Sequence, residues 1–153
     1  MRRTGFAMAV LALLFAGGSA MAQELNITPT GLALRGYDPV SYFTGDRPAL
    51  GRADISAEHK GAVYRFATDA SKQAFIANPD KYAPQYGGYC AFAAALGKKF
   101  DGDPNVWKVI DGKLYLNLSP AVAKRWNEDI PGNIKKADQN WSQIKGKTPK
   151  ELQ

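Results

Sequence analysis

Apolar and polar positions alternate most regularly in two stretches of this chain. Around residues 55–67, Val63, Arg65 and Ala67 alternate with Tyr64 and Phe66, and Glu58-His59-Lys60-Gly61 supplies a turn. A period of two predicts a half-buried hairpin. The second stretch runs Trp107-Lys108-Val109-Ile110, Asp111-Gly112, Lys113-Leu114-Tyr115-Leu116-Asn117. Asp-Gly favours the type I′ turn, whose twist matches a two-residue hairpin.

Between and beyond the hairpins the period becomes helical. Asp38-Pro39 reads as an N-cap followed by a first helical residue that needs no N–H, with Val40, Tyr42 and Phe43 forming one apolar turn. Thr68 caps a helix that carries Phe75 and Ile76 and stops at Asn78-Pro79, with a short further turn to Tyr82. Gly87-Gly88 precedes a helix over residues 89–96, ended by Gly97. Residues 98–105 read as loop. Ser119-Pro120 opens a helix bearing Val122, Trp126 and Ile130, which Pro131-Gly132 breaks; Ile134, Ala137, Trp141 and Ile144 share one face of a last helix. The expected fold class is α+β: a small antiparallel sheet made of two hairpins, with helices packed on one side.

The first 22 residues have a different character. Arg2 and Arg3 precede a short apolar run from Phe6 to Ala16, and Ala20-Met21-Ala22 is a small-x-small cleavage site. This is the pattern of a Sec-type signal peptide cleaved after Ala22. The apolar run is shorter than the roughly 20 residues that span a bilayer, so the expected location is the periplasm or the medium, with no membrane span in the mature form. The expected organisation is a signal peptide (1–22), an extended N-terminal arm (23–35), one domain with a C-terminal helical extension (36–144) and a frayed basic tail (145–153).

Cleavage takes two positive charges off the formal +6 of the 153-residue chain. The remaining excess suits a solvated surface, and no basic stripe interleaves with aromatics, so nucleic acid is not an expected partner. All three methionines (Met1, Met8, Met21) leave with the signal peptide, so the single cysteine, Cys90, and the single histidine, His59, are the remaining soft ligands. One cysteine makes no internal disulfide. It is buried and inert, paired between chains, metal-bound or reactive.

A further set of residues carries a resemblance. Asp38-Pro39-Val40, Gly61, Tyr64-x-Phe66 and Phe75-x-x-Asn78-Pro79-x-x-Tyr82 resemble the YHS domain, a short α+β module related to treble-clef metal-binding folds. The likeness covers residues 37–82. The continuation from Pro84-Gln85-Tyr86-Gly87-Gly88-Tyr89-Cys90-Ala91 to Trp141 looks like an exported bacterial version of the module. Metal-binding members of the wider family carry cysteines where this chain has Ser41, Ala67 and Ser71. Alanine offers no donor and a neutral serine a poor one, so a cysteine-rich site is absent here.

Three functional classes follow. The first is a binding module for a transition metal, copper before zinc, centred on Cys90 with His59 as second ligand. A cysteine opening a helix faces unpaired N–H groups, which favour its thiolate. The second is a non-metal small-molecule or protein-interaction module. It uses the aromatic surface of residues 86–92 (Tyr86, Tyr89 and Phe92), with Gly87, Gly88 and Tyr89 as the ligand-binding residues, the two glycines letting a ligand approach the backbone. The third is a thiol enzyme with His59 as base to Cys90; this needs an orienting acid such as Asp38 or Asp69 and is the least expected. For His59 the plain alternative is a solvated turn histidine. For Asp101-Gly102-Asp103, which lacks the spacing of a calcium loop, it is turn chemistry.

Overall fold

The computed structural model describes residues 24–152, so the signal-peptide reading and its cleavage site lie outside the described residues. The fold is α+β. The first hairpin joins β1 (Arg52–His59) to β2 (Ala62–Phe66), and the second joins β3 (Asp103–Ile110) to β4 (Lys113–Asn117). Six α-helices occur among the described residues: α1 (Ser41–Thr44), α2 (Asp69–Ala77), α3 (Pro79–Tyr82), α4 (Ala91–Ala95), α5 (Pro120–Asn127) and α6 (Ile130–Ile144).

The hairpins form two separate two-stranded ladders rather than one sheet. Both turns are two residues long with positive φ at each: Lys60 (51°) and Gly61 (80°), Asp111 (50°) and Gly112 (71°). That is type I′ geometry. The turn at Lys60-Gly61 is shorter than the expected four-residue turn, and His59 therefore pairs with Ala62 as the last residue of β1.

Two cores lie on either side of β4. Tyr42, Tyr64, Phe66 and Phe75 cluster with Leu114 and Leu116 of β4, whereas Tyr86, Tyr115, Trp126 and Ala137 pack with the alanines of α4. Because β4 sends Leu114 and Leu116 to one cluster and Tyr115 to the other, its period of two joins the cores. The helices accordingly divide between the ladders instead of lying on one side: α2 packs on the first hairpin, while α4 packs on α6 and β4.

Helix ends follow local chemistry, with departures from expectation. Thr68 Oγ1 accepts from Ser71 N, as the sequence predicts, and Asn78, expected only to stop α2, also caps α3, its Oδ1 accepting from Lys81 N. Asp38, in contrast, is no helix cap; its carboxylate closes a turn by accepting from Val40 N, and α1 starts only at Ser41. Ile130 belongs to α6, because Pro131 and Gly132 sit in that helix's first turn, where a missing N–H costs nothing and Asp129 Oδ1 accepts from Gly132 N. The tail past Ile144 is not frayed: Lys99 Nζ donates to the carbonyls of Lys145 (2.5 Å) and Lys147 (2.7 Å).

The arm is docked as well. It turns at residues 28–31, forms bridges Ile27 to Ala33 and Leu32 to Val63, and ends in a 3-10 turn, Leu34–Gly36.

Candidate functional site

His59 reaches its position because β1 runs two residues further than the sequence suggests, through Glu58 and His59. Its ring stands edge-on to Phe75 (5.8 Å, 89°) and 6.4 Å from Tyr64, with the side chain 20% exposed. The solvated-turn reading is thus replaced by a histidine packed against the first core. Asn78 and Pro79 start α3 so that Asp80 lies across from the hairpin turn, where Lys60 Nζ approaches its Oδ1 to 2.7 Å. That bond and the lysine charge hold the Asp80 carboxyl below its ordinary range. His59 Nε2 is 3.5 Å from the same oxygen, a distance suited to attraction between charges if the ring is protonated. It lacks hydrogen-bond alignment, however, and this buried nitrogen has no hydrogen-bond partner.

A cavity of about 290 Å³ opens beside this cluster, with His59, Asp80, Tyr64, Gln85, Gly87 and Trp141 in its wall. Burial and the charge of Asp80 push the Tyr64 phenol up to about 12, so it stays a neutral donor at physiological pH. Among the described residues its hydroxyl also has no hydrogen-bond partner. His59 and Tyr64, both in this wall beside aromatic rings, therefore carry hydrogen-bonding capacity that the described residues leave unused.

Tyr86 supports the opposite side. It adopts a left-handed backbone (φ 54°), a conformation uncommon in residues other than glycine. Its hydroxyl donates to Asp138 Oδ1 at 2.9 Å, and its ring packs on Tyr115 and Trp141. Burial together with Asp138 raises this phenol as well.

The glycines before Cys90 receive the chain's own arm. A Cβ on Gly87 would lie 1.8 Å from the carbonyl oxygen of Glu24. Asn26 N donates to Gly87 O at 2.8 Å, and Asn26 Nδ2 to Gly88 O at 3.1 Å. The space expected for an incoming ligand at Gly88 and Tyr89 is thus filled from within. Gly88 and Tyr89 are buried, with Tyr89 Oη donating to Leu25 O, and of the three residues only Gly87 lines the cavity.

Cys90 is the N-cap of α4, a helix of five residues that starts two positions later than expected. It is 1% exposed. Its Sγ donates weakly to Asn117 Oδ1 at 3.5 Å, an oxygen that also accepts from Phe92 N. Burial pushes the thiol up, although the N–H groups of Ala93, Leu118 and Phe92 pull it down. The helix-start dipoles are present, but desolvation outweighs them, the reverse of the expectation from sequence.

Cys90 and His59 line different cavities, and Cys90 packs against β4 while His59 packs against Phe75. Among the described residues no three His, Cys, Asp or Glu side chains are grouped to hold a metal ion. The partners that the sequence does not link to His59 are Asp80, Lys60 and Tyr64. Lys60 and Tyr64 follow once a two-residue turn is drawn, whereas no periodicity ties Asp80 to the hairpin. No protein-family model, no curated protein and no solved structure matches this chain.

Proposed function

We propose that this chain is an exported YHS-like binding module that takes a small, flat, hydrogen-bonding molecule in the cavity beside His59. The observation that carries the reading is the buried His59 Nε2, without a hydrogen bond, next to the equally unpartnered Tyr64 hydroxyl. Buried polar groups are nearly always paired, and those left open in a cavity wall are where a ligand or ordered water completes the set. The volume equals that of roughly ten waters, which sets the ligand at the size of a substituted heteroaromatic ring. Trp141 and Tyr86 offer faces for stacking, and His59 and Tyr64 offer the polar edge.

The metal reading centred on Cys90 has less support. It needs a thiolate and a second donor, and here the thiol is buried, raised in pKa, and walled off from His59's cavity. The thiol-enzyme reading fails to gain support for the same reasons.

The test is a titration of isotope-labelled mature protein with a panel of small heteroaromatics, beside copper(I) and zinc, read by amide and imidazole chemical shifts. Saturable shifts at His59, Tyr64 and Gly87 that vanish in His59→Phe and weaken in Tyr64→Phe support the proposal. Shifts from copper that vanish in Cys90→Ala, with none from any heteroaromatic, would restore the metal reading.

A further inference from the structure

A second cavity, of about 160 Å³, lies on another face, between α4 and α5. Its floor is Cys90 and Ala93, both buried, and Val122 of α5 forms a wall. Its rim is Leu96, Phe100 and Leu118, exposed to 59%, 41% and 42%. Five large apolar side chains are strongly exposed among the described residues, and these three meet at one opening. Such a concentration of exposed apolar surface marks a binding site rather than scatter.

One lining residue carries charge. The Arg125 guanidinium lies 5.2 Å from the Phe92 ring centroid and makes no ion pair among the described residues. The site therefore combines an apolar bore with a single cation. A dry cavity of about 150 Å³ accepts a benzene-sized guest, so this bore holds about six carbons. Arginine pairs with a carboxylate through two parallel N–H bonds. From this combination we infer that the cavity binds medium-chain alkyl carboxylates, with the chain directed at the Cys90 floor and the head group on Arg125.

The proposal is independent of the His59 cavity, and the test separates the two. Mature protein is titrated with octanoate, octanol and acetate, with amide shifts of Ala93, Leu96 and Val122 as the readout. Saturable octanoate binding is expected, with acetate inactive. Arg125→Leu should weaken octanoate about tenfold and leave octanol within twofold. Val122→Trp should block both, while His59→Phe should change neither. Octanoate should also slow alkylation of Cys90 by a small apolar reagent, because the chain covers the sulfur. Absence of saturable octanoate shifts in the wild type overturns the proposal, as does equal octanoate affinity in Arg125→Leu. Anionic phosphatidylglycerol vesicles form a separate arm: binding to vesicles without binding free octanoate would identify a membrane-contact patch and also overturn it.

Discussion

Replacing Asp38 with alanine should cost about 3 kcal/mol of folding stability. The carboxylate is fully buried and is the acceptor for two main-chain donors, Val40 N at 2.8 Å and Ala67 N at 2.9 Å. These two bonds tie the turn before α1 to the end of β2, across 29 residues of sequence. Hydrogen bonds to a charged group contribute about 1.5–3 kcal/mol each, and the pair sets an upper range of about 3–6 kcal/mol. Two effects reduce it: removing a buried carboxylate relieves its own desolvation, and Ala67 is only half-buried, so water can reach its N–H. Asp38→Asn keeps one oxygen acceptor but points an amide donor at the other N–H, and should cost about 2 kcal/mol. Urea unfolding followed by tryptophan fluorescence reads both. With a slope of about 1–3 kcal/mol per molar, the alanine variant's midpoint should fall by at least about 1 M. An alanine variant within about 1 kcal/mol of wild type at unchanged slope would refute the argument that this carboxylate fastens the two segments.

Four other outcomes follow from the geometry. Gly87→Ala should destabilise by more than about 2 kcal/mol, since its φ of +60° strains any side chain and the new Cβ collides with Glu24; thermal unfolding checks this. Cys90 should be alkylated at pH 7 at least tenfold more slowly in the folded state than in urea, because burial both covers the sulfur and raises its pKa; a rate equal to the denatured one refutes this. Burial lowers Lys99 to about 8, so between pH 8 and the ordinary lysine range the unfolded chain binds the extra proton; this group therefore adds stability as pH rises through that window. Urea unfolding at pH 7 and pH 9.5 should show a larger gain for wild type than for Lys99→Met. Asp80 has a lowered pKa, so its contribution is present above the ordinary carboxylate range and is lost as pH falls through the folded value; Asp80→Asn should remove that acid-side loss in a pH series of unfolding curves.

Sequence patterns revealed the elements better than their ends. Asp111-Gly112 fixed its hairpin because only certain residues tolerate two successive positive φ values, Thr68 fixed the start of α2 through a local side-chain bond, and Asn78-Pro79 fixed its end because the residue before proline avoids the helical region. Lys60-Gly61 uses the same turn, but lysine gives no such signal, so the sequence places Glu58 and His59 in the turn rather than at the end of β1. Proline at 131 could end one helix or open the next, and tertiary packing chose the second. At the sites, the identities of Cys90 and His59 were informative about chemistry but not about surroundings. The Cys90 pKa depends on how much water the fold leaves near the sulfur, and the partners of Gly87 are residues 24–26, whose return to this point is a long-range event that no local pattern encodes.

The ammonium of Lys99 is received by main-chain oxygens at positions 145 and 147 and by the faces of Tyr89 and Trp141. Every amino acid supplies a carbonyl, so the identity of the side chains at those two positions is open to change while the path of the backbone is not. Substitutions there other than proline should cost little, the Lys145 side chain losing only its partly exposed pair with Glu24 at 3.7 Å. Deleting the chain after Ile144, by contrast, would strip a sequestered cation of two of its acceptors, so residues 145–152 are better regarded as a lid on the domain than as an appendage.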